Sequence, residues 1–109
     1  VYWLTPAGRT QLNDWLTDET PSASTRHIRT EFLSRLYVAK RLKHPITPIV
    51  SAQHTACQNA IHQLIAARED LSPGAGYLAV DLRVAEMRVI LEWIGRCAQA
   101  CEVKAEADD

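Results

Sequence analysis

The segment YLAVDLRVAEMRVILEWIGRCAQACE, from Tyr77 to Glu102, contains more structural information than any other part of this chain. At about 100° per residue, its apolar side chains fall into two rows on opposite sides of one long helix. A helix on the outside of a monomer needs only one apolar face, so this fourth helix is predicted to be packed on both sides. The first row is Val80, Val84, Met87, Leu91, Ile94, Ala98 and Cys101. The second row is Leu78, Leu82, Ala85, Val89 and Trp93.

Two arrangements would cover both rows. Either the helix is central in the chain's own bundle, or one row meets a second copy of the chain. Only three other helices are predicted, and the first is short, so we expect a two-fold homodimer. The alternating four and three spacing of the first row favours it as the seam between subunits. The predicted dimer-interface residues are Val80, Val84, Met87, Leu91, Ile94, Leu82, Val89 and Trp93.

Capping and stop signals place three helices before the fourth. The first opens at Thr5-Pro6 and ends before a polar loop over residues 18–24. The second is predicted from Thr25 to Lys43, and the third begins at a second Thr-Pro pair, residues 47–48, and ends at the Pro-Gly-rich residues 72–76. Their apolar stripes are, in order, Leu12, Trp15 and Leu16; Ile28, Phe32, Leu36 and Ala39; and Ile49, Cys57, Ala60, Ile61, Leu64 and Ile65.

The two ends of the chain lead to two further expectations. The chain starts at Val1, and its one methionine is Met87, so we expect a preceding segment. Residues 1–4 form a short β-prone run, interpreted as the end of a strand whose sheet lies upstream. Residues 5–102 are predicted to be one helical domain, and the acidic residues 103–109 a disordered tail. The predicted fold is therefore all-α, with about four helices and a residual N-terminal β-strand.

Composition limits the classes of function. The 109 residues are 47% hydrophobic and 23% charged, and the net charge is -1, so the whole chain has no strong attraction for nucleic acid or membranes. There is no apolar run long enough to cross a bilayer. Three cysteines in this pattern favour a reducing cytoplasm over a disulfide scaffold.

No constellation of residues points to catalysis, to a cofactor or to a metal. Candidate metal ligands lack a CxxC-type pair, and the cysteines fall mainly on apolar rows, where a thiol behaves as a small hydrophobe. The Gly-rich residues 72–76 lack the lysine of a phosphate-binding loop. The chain is therefore predicted to be neither an enzyme nor a metal protein. The candidate ligands considered were His54, Cys57, His62, Cys97 and Cys101.

The second helix contains half of the chain's twelve basic residues and one acidic residue, Glu31. Such a surface could contact phosphates, although the preferred interpretation is a solvated face on which some basic residues pair with the acidic first helix or the acidic tail. The basic residues are Arg26, Arg29, Arg35, Lys40, Arg41 and Lys43.

Several motifs, taken in order, resemble the PadR family of winged-helix transcription regulators. Residues 2–9, YWLTPAGR, are similar to the end of that family's wing, and Leu12 with Trp15-Leu16 matches the L-x-x-W-L that follows. Residues 29–37, RTEFLSRLY, resemble its R-x-E-F-L-x-K-L-aromatic stretch, with Arg35 where Lys is usual. Gln53 stands where the third helix often has Gln, and residues 92–94, EWI, resemble its E-x-W-L.

This resemblance implies a function. The chain would be the C-terminal dimerisation domain of a DNA-binding regulator, with a winged helix upstream that reads DNA, and a small-molecule effector as a candidate partner. Two alternatives stay open: a helical adaptor that binds another protein through the fourth helix, and a small-molecule-binding bundle. In the second alternative, the pocket would be lined by Trp3, Trp15, Trp93 and Tyr37.

Overall fold

A computed structural model describes the backbone of residues 5–107 and the side chains of residues 5–97, 99 and 100. Every regular element in this part of the chain is helical, which confirms the all-α class. The first helix, α1, is Pro6–Leu16. The second, α2, covers residues 25–41; the third, α3, is Thr47–Glu69; and the fourth, α4, is Ala75–Ala107. The predicted strand at residues 1–4 lies outside the described residues and has no support.

The helix starts follow from capping chemistry. The Thr5 hydroxyl accepts a hydrogen bond from the Gly8 amide at 3.0 Å, and Pro6 occupies the first turn, as predicted. Ser24 caps α2 by accepting from the His27 amide at 3.1 Å. The second Thr-Pro pair behaves differently, because α3 already includes Thr47 and has no side-chain cap.

The second helix is not uniform. It starts as an α-helix at Thr25–His27, passes through a π-helical segment at Ile28–Phe32 and continues as an α-helix at Leu33–Arg41. The predicted apolar stripe on this helix is nevertheless buried at all four positions. The wider π turn was not predicted, because hydrophobic spacing cannot distinguish a single π turn from an α turn.

The core is formed by residues of α1, α2, α3 and α4. Phe32, Val84 and Ile94 have no exposed surface, and the Phe32 ring meets the Trp93 ring edge to face at 6.0 Å between centroids. From α3, Cys57 is fully buried. The other buried apolar residues are Leu16, Ile28, Leu36, Ala39, Ile49, Val50, Ile61 and Met87.

The fourth helix is longer than predicted. It ends at Ala107, whereas the sequence placed its end near Glu102 and assigned residues 103–109 to a tail. Residues 102–107 are good helix formers apart from Val103, and they include neither Gly nor Pro to end the helix. Asp108 and Asp109 lie outside the described residues.

Candidate interaction surface

The two apolar rows of α4 lie in opposite environments. The first row faces the chain's own core: Val84 and Ile94 are fully buried, Met87 is 7% exposed, and Val80 and Leu91 are half-buried. The preference for this row as the seam between subunits was therefore wrong. Spacing alone could not separate the rows, because both satisfy a helical repeat, and only the position of α3 decides which one is covered.

The second row faces outward. Leu78, Leu82 and Val89 are 64%, 60% and 63% exposed, and Ala85 between them is also exposed. Trp93 is the exception, because it is half-buried against Phe32. We call Leu78, Leu82, Ala85 and Val89 the outer row. Spanning eleven steps of the helix, the outer row is a strip about 16 Å long.

The outer row belongs to a flat and extended molecule. Its principal dimensions are 56 × 34 × 17 Å, and its radius of gyration is 16.9 Å, against about 13 Å for a compact domain of this size. The accessible surface is 7867 Å², against roughly 6,000 Å² for a compact monomer of this length.

Charged side chains flank the outer row. Asp81 accepts from Arg68 of α3 at 2.7 Å, and its side chain stays 47% exposed. Arg88, seven residues later on the same flank, is exposed and forms no ion pair within the described part of the chain. Glu86 lies exposed on the opposite flank. The apolar strip ends where Glu92 and Arg96 take the next two positions of the same repeat.

A second cluster joins α1 to α2. Arg35 is 5% exposed; it donates to Asp18 at 3.3 Å, and its guanidinium lies 5.6 Å from the centre of the Trp15 ring. The Trp15 indole N–H donates to Glu31 at 2.8 Å. Arg35 was predicted to belong to a basic surface, and the structure shows it inside the fold. The order of charges along a helix does not reveal such burial.

We expect Glu31→Ala to destabilise the fold by about 1 kcal/mol, because the half-buried Trp15 N–H would lose its acceptor. Glu31→Gln keeps a carbonyl oxygen at the same reach and serves as the control, with an expected change within about 0.5 kcal/mol. Urea unfolding followed by circular dichroism would measure both. Equal losses for the two variants would mean that the hydrogen bond does not hold α1 in place.

A buried amide anchors the loop before α2. Gln53 of α3 is fully buried and donates to the Ser22 carbonyl at 2.9 Å, while its own carbonyl oxygen is buried without a partner. Beside this contact lies an open depression between the loop, α3 and α4. Its lining is apolar apart from three polar side chains, and it includes none of the aromatic residues proposed for a pocket. The lining residues are Ala23, Ser24, Ala60, Gln63, Leu64, Arg83 and Met87.

The aromatic residues proposed for a ligand pocket do not converge. Trp15 packs beside Arg35, Trp93 packs on Phe32, and Tyr37 is 67% exposed on α2. Trp3 lies outside the described residues. The described aromatic residues therefore do not line one pocket, as the alternative of a small-molecule site requires.

The described cysteine and histidine side chains are not arranged as a metal site or a reactive thiol requires. Among the described residues, no three His, Cys, Asp or Glu side chains are grouped as a metal site requires. Burial raises the pKa of the Cys57 thiol above its ordinary value, with a smaller opposing effect from the Gln53 hydrogen bond. A raised pKa keeps this thiol protonated near neutral pH, so it is a poor nucleophile and acts as a core residue.

The remaining basic residues of α2 are mostly exposed. Arg26, Arg29, Arg41 and Lys43 lie on the surface without ion pairs in the described part of the chain. Lys43 also has a positive φ of 55° at the end of the helix, where the His44 amide reaches back to the Ala39 carbonyl at 2.8 Å. These exposed cations fit the preferred interpretation of a solvated face.

Among the described helices, none has a stretch both long and apolar enough to cross a membrane. Comparison of the chain with models of protein families, with curated proteins and with solved structures gave no match.

Proposed function

We propose that this chain is the dimerisation domain of a PadR-like, DNA-binding transcription regulator, and that a second copy docks on the outer row of α4. The observation that carries the proposal is the row itself. Leu78, Leu82 and Val89 form one strip on the outside of a long helix, and each is at least 60% exposed. A large side chain left in water forgoes about 1.5–3 kcal/mol of burial, so a strip of three favours an interface.

A DNA-binding regulator would need a dimer interface of this kind. Two winged helices must be held at a fixed separation to reach two half-sites on DNA, and a pair of long helices can set that separation. The upstream winged helix would supply the base contacts, and an effector would act by changing the separation of the two heads. We place such a regulator in the cytoplasm, where thiols such as Cys57 stay reduced.

Contacts between the motif residues indicate that they belong to one structural unit. The motif residues that resemble the PadR family touch one another: Trp15 with Glu31, Trp15 with Arg35, and Phe32 with Trp93. These residues hold α1, α2 and α4 together. They therefore contribute to the packing of one structural unit, as the resemblance requires of residues from a single domain.

Light scattering after size exclusion tests the proposal directly. We expect a dimer at tens of micromolar protein, because two-fold dimers are the commonest way to cover such a face. A compact, folded monomer would contradict the proposal. It would favour the adaptor alternative, in which a different protein covers the outer row.

We expect this chain alone to bind duplex DNA only weakly and without sequence preference. The net charge is -1, and the few exposed cations of α2 can make only a small, salt-sensitive contribution. A gel-shift assay at physiological salt, with two unrelated duplexes of equal length, would measure this. Tight binding to one duplex alone would show that the described helices read bases themselves.

A further inference from the structure

We infer that the second copy packs antiparallel on α4, with the two-fold axis between Leu82 and Ala85. This inference rests on the proposed dimer and specifies its geometry. The outer row has spacings of four, three and four, which is the pattern of one heptad seam. The centre of the row falls midway between Leu82 and Ala85, and a two-fold axis there buries the whole row of both chains.

An antiparallel pairing matches side chains by size. Leu78 faces the partner's Val89, and Leu82 faces the partner's Ala85. Alternating a large residue with a small one lets two helices approach closely and fill the space between them. The charged positions Glu92 and Arg96 fall outside this contact, because they would face the partner near the start of its helix.

The charged residues beside the outer row favour antiparallel over parallel pairing of the two α4 helices. In the antiparallel pair, Asp81 faces Arg88 of the partner subunit, and symmetry repeats this contact. In a parallel pair, Asp81 would instead lie beside Glu86 of the partner subunit, so two like-charge contacts would form.

Asp81 and Arg88 are both placed so that they could form this contact between subunits. The Arg68 contact holds Asp81 at the flank of the outer row, and the Asp81 side chain stays 47% exposed, so an incoming guanidinium can reach it. Arg88 has no competing ion pair in the described part of the chain. The antiparallel pair therefore gains two charge contacts without breaking one inside either chain.

Cysteine cross-linking distinguishes the two directions. We would prepare Leu78→Cys and Val89→Cys, oxidise each alone and as a mixture, and identify the linked peptides by mass spectrometry. Wild-type protein controls for the native cysteines. The antiparallel pair predicts a 78–89 disulfide in the mixture and none in either variant alone, because the two copies of residue 78 lie about 16 Å apart along the axis.

The possible results separate the two proposals. A dimer in which each variant cross-links to itself would overturn the antiparallel arrangement and leave the dimer standing. A wild-type monomer by light scattering would overturn both. A dimer in which no disulfide forms at these positions in any sample would overturn the antiparallel arrangement, because it would place residues 78 and 89 apart.

Charge reversal gives a second test that needs no cysteine. Arg88→Asp would set Asp81 against a new carboxylate at both symmetric contacts, and we expect roughly tenfold weaker dimerisation that recovers partly in high salt. Arg83→Asp makes the same charge change on the same helix, away from the outer row, and should leave the dimer unchanged. Equal effects of the two variants, or none from Arg88→Asp, would overturn the assignment.

Discussion

Leu82→Asp is expected to convert the dimer into a folded monomer at tens of micromolar protein. Every dimer contains this residue twice, at the centre of the outer row. Loss of the apolar surface still exposed on each leucine removes about 1–2 kcal/mol per copy. Two carboxylates would in addition have to leave water, at further cost. We therefore expect at least about a hundredfold weaker dimerisation, measured by light scattering and sedimentation across a dilution series.

Leu42→Asp is the matched control for this prediction. Leu42 is 55% exposed, close to the 60% of Leu82, but it lies at the end of α2, away from the outer row. The control should keep the dimer and the helical circular dichroism signal. If Leu82→Asp stays dimeric, the outer row is not the interface. If Leu42→Asp also gives a monomer, the interface is not confined to α4.

The second large effect is expected inside the core. Phe32→Ala removes a ring that has no exposed surface and that meets Trp93 edge to face. Truncation of a buried phenylalanine costs about 3–5 kcal/mol, which is a large part of the total stability of a small domain. We expect the urea midpoint, followed by tryptophan fluorescence and circular dichroism, to fall accordingly.

Tyr37→Ala controls for the loss of an aromatic residue on the same helix. Tyr37 is 67% exposed, so its truncation should change stability by no more than about 0.5 kcal/mol. A Phe32→Ala variant as stable as Tyr37→Ala would mean that α2 does not form part of the cooperative core. Such a result would also weaken the link between α2 and α4 on which the domain assignment depends.

Local chemistry in the sequence was enough to predict that four helices form, although not the π turn in α2 or the end of α4. Thr5 caps α1, and the spacing of Ile28, Phe32, Leu36 and Ala39 predicted the buried face of α2. The sequence also predicted two apolar rows on the fourth helix. All of these are properties of one segment and its neighbours along the chain, so a periodic pattern records them.

Three other features depend on contacts between distant segments. The π turn at Ile28–Phe32 has both of its end residues buried in the core, Arg35 lies inside the fold beside Trp15 and Asp18, and Gln53 donates to the Ser22 carbonyl. The sequence offered only the pattern of polar residues along each helix. This pattern does not distinguish a cation on the surface from a buried one. Burial depends on which side chains approach from other helices.

The sequence by itself determined that the fourth helix has more apolar surface than one chain of four helices is expected to cover. Which row stays exposed was decided only by the tertiary structure. The α3 helix packs against α4, and Val84, Met87 and Ile94 are buried in the core while Leu78, Leu82 and Val89 stay in solvent. The physical reason is that both rows repeat at a helical period, so either could face the core. The choice between them depends on the packing of α3 against α4, which the spacing within α4 does not encode.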